Sequence, residues 1–269
     1  MALSNLLVLG QYVPLDTFIH RIDARIKLGL SVILLVYIFM LPNIYAQLIM
    51  LALTGVLVGF AKVPPLQILR GIRPILILLM LTVLIQLFTT KGDPLFTWQF
   101  ITITKQGLLL ASTIVIRLVS VVIVSVVLTF STSPLDLTFA MERFMMPFSK
   151  IGLPASEIAL MMSIALRFVP TLLSETDKII KAQSSRGADF ASGGLISRAR
   201  SFIPVLIPLF VSAFRRADEL ANAMESRCFI TGAKRTRLHL MRMTATDVVS
   251  FLVAIAIMAG LFAYAKIAL

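Results

Sequence analysis

From Lys27 to Lys62 the chain reads KLGLSVILLVYIFMLPNIYAQLIMLALTGVLVGFAK, with no charged residue between the two lysines. A helix needs about 20 apolar residues to cross roughly 30 Å of hydrocarbon, and each peptide group must find its partner within its own segment. The run is too long for one ordinary span. Pro42-Asn43 supplies a turn signal inside it, so the stretch predicts two helices, about 26–41 and 44–62. The first is short unless Arg25 and Lys27 extend their basic groups to the interface, as long cationic side chains do.

Carried outward, the same criterion finds three more spans. Leu66 to Phe88, after Pro64-Pro65 and past Arg70 and Arg73, is the third. Lys91-Gly92-Asp93-Pro94, with Trp98 and Phe100, reads as an interfacial connection to a fourth, about 105–130. Arg117 interrupts that fourth run. A charge within a span marks a functional site by default, and an arginine that faces neighbouring helices or snorkels is the competing reading. The fifth span is Val248 to Ala265, between Asp247 and Lys266.

Composition narrows the function. Of 269 residues, 58% are hydrophobic and 14% charged, which excludes an ordinary water-soluble enzyme. The net charge of +12 would ordinarily raise nucleic acid as a partner. Lys and Arg enrichment in cytoplasmic loops of membrane proteins explains it better, because basic and acidic residues are interspersed. Cys228 is the single cysteine, so no internal disulfide framework or multi-cysteine metal site is expected, and His20 and His239 match no zinc pattern. The first twenty residues lack the basic n-region of an export signal, so the first hydrophobic segment is expected to remain in the protein.

The section 132–245 differs from its surroundings: it holds 15 of the 25 basic and 9 of the 13 acidic residues. By the positive-inside rule it is cytoplasmic, as is the N-terminus, and five crossings leave the C-terminus outside. The expected organisation is an all-α integral membrane protein with a four-span bundle in 1–131, a cytoplasmic domain of about three helices in 132–245, and the last span in 246–269. The first cytoplasmic helix starts at Pro134, after the Ser-Thr-Ser cluster 131–133, and runs to about Ser149. Its Met141, Phe144, Met145, Met146 and Phe148 suit either ordinary packing or an adaptable docking face. The second, after Gly152-Leu153-Pro154, is long and amphipathic, with Pro170 inside it. The third covers about 201–227, where Ala217 and Ala221, one turn apart, permit a close helix crossing.

Both long helices finish alike, in Gln183-Ser184-Ser185-Arg186-Gly187-Ala188 and in Met224-Glu225-Ser226-Arg227-Cys228-Phe229. One such ending is explained as a helix stop, with a cation at the negative end of the dipole. Two on consecutive helices suggest a repeated device that presents an arginine to each of two similar pockets, a task for which the planar guanidinium is suited.

Here the sequence resembles the transmembrane coupling subunits, the T components or EcfT proteins, of energy-coupling factor transporters, a branch of the ABC transporters. Gly10-Gln11-Tyr12 followed by His20-Arg21-Ile22-Asp23-Ala24-Arg25-Ile26-Lys27 is similar to the family's His-Arg-Leu-Asp-Pro-Arg-x-Lys signature, with Ile22 for Leu and Ala24 for Pro. Ala217 to Arg227 looks like its most recognisable segment, and Gly232-Ala233-Lys234-Arg235-Thr236 fits the continuation. The family's Ala-Arg-Gly motifs correspond to Ser185-Arg186-Gly187 and Ser226-Arg227-Cys228, with cysteine in place of the second glycine.

The resemblance implies a non-catalytic scaffold. Its two arginine ends would dock in grooves on two cytoplasmic ABC-type ATPase subunits, which carry the ATP and Mg. Its membrane helices and coupling domain would hold a small substrate-binding (S) subunit for vitamins or trace metals, with Met141, Phe144, Met145 and Phe148 as candidate contacts. No cofactor is expected on this chain itself. The residues agree to the extent that no GxxxxGK[ST] phosphate loop occurs. A stand-alone secondary transporter or channel is the alternative: it would place ionisable residues near the midplane, where Arg117 is the clear candidate, but no repeat of spans accompanies it.

Overall fold

A computed structural model describes residues 12–41, 43–98, 101–190, 194–232 and 243–267. Gly10, Gln11, Pro42, Phe100, His239 and 233–236 of the sequence reading lie outside the described residues. The elements are α1 (Phe18–Arg21), α2 (Ala24–Met40), α3 (Ile44–Ala61), α4 (Pro65–Ile72), α5 (Leu76–Thr89), β1 (Pro94–Trp98), β2 (Ile101–Thr104), α6 (Lys105–Ser131), α7 (Pro134–Met145), α8 (Ala155–Ser185), α9 (Leu195–Ser201), α10 (Ile203–Glu225) and α11 (Ala245–Ile267).

Among the described residues, six helical stretches are long and apolar enough to cross a membrane: Ile44–Ala61, Pro65–Thr89, Lys105–Ser131, Ala155–Ser185, Ile196–Glu225 and Ala245–Ala265. The chain is a multi-pass membrane protein. At 17 residues, α2 is slightly shorter than these. Two compact units are formed, one from 12–140 with 243–267 and the other from 141–232.

In the first unit α6 is central, and α2, α3, α4 and α5 all pack against it. Its buried side chains lie on several faces, including Ala111, Ser120, Ile123, Val127 and Phe130. One core cluster joins Leu34, Ile38 and Leu41 to Met50, Val124, Met258 and Leu261, and a second joins Ile19, Ala61 and Val63 to Ile123, Val127 and Phe130. Tyr37 donates to the Met258 carbonyl at 2.9 Å, which ties α2 to α11. Gly71 permits the approach of α4 to α6, since a Cβ there would stand 2.8 Å from Val126. The opposite surfaces of α3, α5 and α11 expose Val56, Ile77, Leu81, Val249 and Leu252, as helices bathed in lipid do.

The third expected span is two helices. Arg73–Ile75 forms a 3-10 turn between α4 and α5, because Pro74 has no N–H to give to the carbonyl one turn earlier. The connection after α5 contains an antiparallel hairpin, β1 against β2, where the β-branched run Ile101-Thr102-Ile103-Thr104 favours a strand. Thr104 then caps α6: Gly107 N–H donates to its hydroxyl oxygen at 3.1 Å, while that hydroxyl donates to the Thr90 carbonyl at 2.9 Å.

Arg117 is a cap inside the bundle. Its Nη2 donates to the Leu41 carbonyl at 3.0 Å, and its guanidinium lies 5.7 Å from the Phe39 ring centre. Gln47, fully buried, donates to Ile38 and Leu41 carbonyls at 2.9 and 3.1 Å. The last carbonyls of a helix have no partner within it, and these two side chains satisfy those of α2 where water is scarce. That supports the reading in which Arg117 faces neighbouring helices.

At the other end of α2, Asp23 accepts from Arg25 N–H and so caps the helix. His20 is hydrogen-bonded through Nδ1 to Thr17 and meets Phe130 edge-on at 5.9 Å. Burial, reinforced by the charge of Lys27, pushes the His20 imidazole below its usual value.

Helix α7 continues beyond Met145 as a 3-10 turn, Met146–Ile151. The sequence placed one helix here. Pro147 near the start of that turn explains the tightening. Helix α8 keeps Pro170 in its interior, and α10 keeps Pro208. The short α9 was not expected; its Gly194 start and Phe202 end set it off from α10.

Candidate functional site

Helices α8 and α10 end in the same hydrogen-bonded turn. After α8, Gly187 N–H donates to Ser184 O and Ala188 N–H to Gln183 O, both at 3.0 Å. After α10, Cys228 N–H donates to Glu225 O at 2.8 Å and Phe229 N–H to Met224 O at 3.0 Å. These paired bonds are the Schellman motif, which satisfies two orphan carbonyls and requires one residue in the left-handed region. Gly187 takes it with φ +87° and Cys228 with φ +56°. A cysteine thus adopts the conformation that glycine adopts freely, at a cost of about 1–2 kcal/mol.

The geometry leaves Arg186 and Arg227 at equivalent places, each one residue before the left-handed position. Both are exposed, as are Ser185, Gly187, Ser226 and Cys228. Among the described residues neither guanidinium has a hydrogen-bonding partner. Each serine hydroxyl turns back into its own helix, Ser185 to the Lys181 carbonyl and Ser226 to Ala223.

How far these ends stand out follows from the crossing of the two helices. The Glu175 carboxylate accepts from the Ser212 hydroxyl and, at 2.9 Å, from Arg216 Nη2. Beside this contact an apolar groove runs along Ile164, Phe168 and Leu172 of α8 and Ala217, Leu220 and Ala221 of α10. Glu175 meets the early part of this stretch of α10, so the groove pairs the helices in opposite chain directions. The alanine spacing expected to allow a close crossing lies at it. Arg186 comes 11 residues after Glu175 (175 to 186), and Arg227 comes 11 after Arg216 (216 to 227). At 1.5 Å per residue each arginine stands about 16 Å beyond the ion pair, and the two point away from each other.

The Met-Phe segment is an exposed apolar surface. Met141, Phe144, Met146 and Phe148 are exposed and Met145 is half-buried. The 3-10 turn ends in a third turn of the same kind, with Gly152 N–H donating to Ser149 O, Leu153 N–H to Phe148 O, and Gly152 at φ +91°. Ile151, 83% exposed, occupies the place that arginine holds in the other two. The sequence reading did not single out Ile151. Gly152 before Leu153-Pro154 was its only signal.

A family described as CbiQ, cobalt transport protein, matches residues 16–239. The energy-coupling factor transporter transmembrane protein EcfT of Ruminiclostridium cellulolyticum is 47% identical over 242 residues, covering 90% of this chain and 91% of its own. The protein of the same name from Acidaminococcus fermentans is 45% identical over 258 residues, covering 93% and 94%. The one from Staphylococcus aureus is 40% identical over 261 residues, covering 97% of each. At 40–47% identity over nine-tenths or more of the length, with the family match running from residue 16 to 239, the chain belongs to the family of energy-coupling factor transporter transmembrane proteins, EcfT.

Proposed function

We propose that this chain couples two cytoplasmic ABC-type ATPases to a membrane substrate-binding subunit in an importer of the energy-coupling factor class, with one arginine end docked on each ATPase. It is a non-catalytic subunit, and ATP and Mg belong to the partner chains. The observation that carries the reading is the pair of matched turns presenting Arg186 and Arg227 on arms of equal length. Two equal arms suit two similar partners. The exposed Met141, Phe144, Met145 and Phe148 are assigned to the substrate-binding subunit, for which adaptable apolar side chains are suited.

In this reading α2, α3, α4 with α5, α6 and α11 cross the bilayer, and 132–245 stays in the cytoplasm. Charge favours keeping α8 and α10 out of the bilayer. Helix α8 carries Arg167, Glu175, Asp177, Lys178 and Lys181, and α10 carries Arg215, Arg216, Asp218, Glu219 and Glu225. Most of these charges lie in the half of each helix that ends in arginine, and each one drawn to the bilayer centre would cost about 2.5–3.5 kcal/mol. The N-terminus is then inside and the C-terminus outside.

Purification in mild detergent tests the assignment, with co-purifying ATPases and a small membrane protein as the expected result. An impermeant maleimide should miss Cys228 in intact cells and label it after lysis when the ATPases are absent. Labelling from outside, or a chain that transports alone in liposomes, overturns the reading.

A further inference from the structure

The section 132–245 leaves the bundle at the end of α6 and returns at the start of α11, and both roots converge on one short stretch at the start of α2. Lys27, only 8% exposed, donates from Nζ to the Ser131 carbonyl, the end of α6, at 2.8 Å. It also reaches the His20 carbonyl at 3.4 Å. Four residues earlier, Asp23 N–H donates to Asp247 Oδ1 at 3.0 Å. Asp247, 1% exposed, spends its other oxygen on Thr244 N–H and the Thr244 hydroxyl, which closes the first turn of α11. A parallel turn opens α7, where Asp136 N–H donates to the Ser133 hydroxyl oxygen and that hydroxyl donates to the Asp136 carboxylate.

A single buried cation therefore holds the carbonyl end of α6, one helical turn from the Asp23 N–H that ties the start of α2 to the carboxylate at the start of α11. Helix starts and ends of this kind can be capped locally, and a long-range cation is not required for that. What Lys27 and Asp247 add is a direct tie between chain segments more than a hundred residues apart. We propose that Lys27 is a positioning residue which, with Asp23 and Asp247, clasps both roots of the cytoplasmic section to the start of α2, so that the two roots move as one body during the transport cycle. The proposal rests on the coupling reading only for its use in transport; the clasp is a property of this chain.

Distance measurement between spin labels tests it. Thr129 and Thr246, both exposed, flank the two roots. Labels at T129C and T246C in a C228S chain, assembled with its ATPases in lipid nanodiscs, should show one narrow distance that stays the same without nucleotide and with ATP and vanadate. Lys27→Met should broaden that distribution and make it change with nucleotide, while the ATPases remain bound and hydrolyse ATP. Lys27→Arg should restore the narrow distance, because a guanidinium can still reach the Ser131 carbonyl. Should Lys27→Met not insert, Asp247→Asn keeps the shape and is expected to produce the same broadening to a lesser degree. A distance that stays narrow and nucleotide-independent in the variants overturns the clasp, and so does failure of both variants to insert, which would make these residues fold determinants alone. If the unaltered chain binds no ATPase, the coupling reading fails, and the distances in the chain alone still decide the clasp.

Discussion

The α2–α3–α6 bundle and the α8–α10 pair are both built from helices, by opposite means. In the bundle, large side chains are fully buried, as Ile38, Met50 and Phe130 are, and polar groups are spent internally: Arg117 and Gln47 on carbonyls, Lys27 on Ser131. In the α8–α10 pair Ala155, Ala159, Val205 and Ser212 are buried, the helices meet at one ion pair, and two arginines are left pointing outward. An arginine can serve either region. Where water is scarce it completes the backbone, and at an exposed helix end it is available to another protein.

The largest test of that contrast is the double variant Arg186→Ala with Arg227→Ala. If both arginines dock, each single change costs charge-assisted hydrogen bonds of about 1.5–3 kcal/mol, or roughly 10- to 150-fold in affinity per site. The double should be far weaker than either, because two sites on one scaffold reinforce each other. Membrane insertion should be normal in all three, and ATPase co-purification reads the effect. An ending that matters only to its own helix would cost about 0.3–1 kcal/mol of local stability and leave assembly intact.

Arg117→Leu should do the reverse. It leaves the Leu41 carbonyl one donor short within the bundle and should cost about 1–3 kcal/mol, seen as a lower midpoint in thermal unfolding in detergent. ATPase binding per folded molecule should not change. A loss of ATPase binding without loss of stability would blur the line between the two regions.

Phe144→Asp separates the two partners. Desolvating a carboxylate at an apolar contact should weaken the substrate-binding subunit by about tenfold or more while the ATPases stay attached. Loss of both together would point to a folding role for the segment.

The smallest effect is expected from Cys228→Gly. Relief of the left-handed strain, offset by the greater freedom of glycine when unfolded, should stabilise the α10 ending by up to about 1 kcal/mol. Slower hydrogen exchange at Phe229, whose N–H closes the turn, would report it. ATPase affinity should hold steady, since Arg227 keeps its place.

Charge-free runs, basic bias and the repeated Ser-Arg endings are local properties, so the helices α2, α3, α6, α8, α10 and α11 and the equivalence of Arg186 with Arg227 could be read from the order of residues. The positions of Pro134 and Ser133 likewise announced the start of α7. The division of Leu66–Phe88 at Pro74 and the hairpin before α6 were less visible, because apolar content alone does not distinguish a continuous helix from a broken one, or an interfacial loop from paired strands. The role of Arg117 was open in sequence and closed only when folding brought it to Leu41, 76 positions away. The same holds for Lys27 with Ser131 and for Asp23 with Asp247, separated by 104 and 224 positions. Backbone carbonyls carry no sequence signal: every residue has one, and which of them lacks a partner depends on where helices end and what packs beside them.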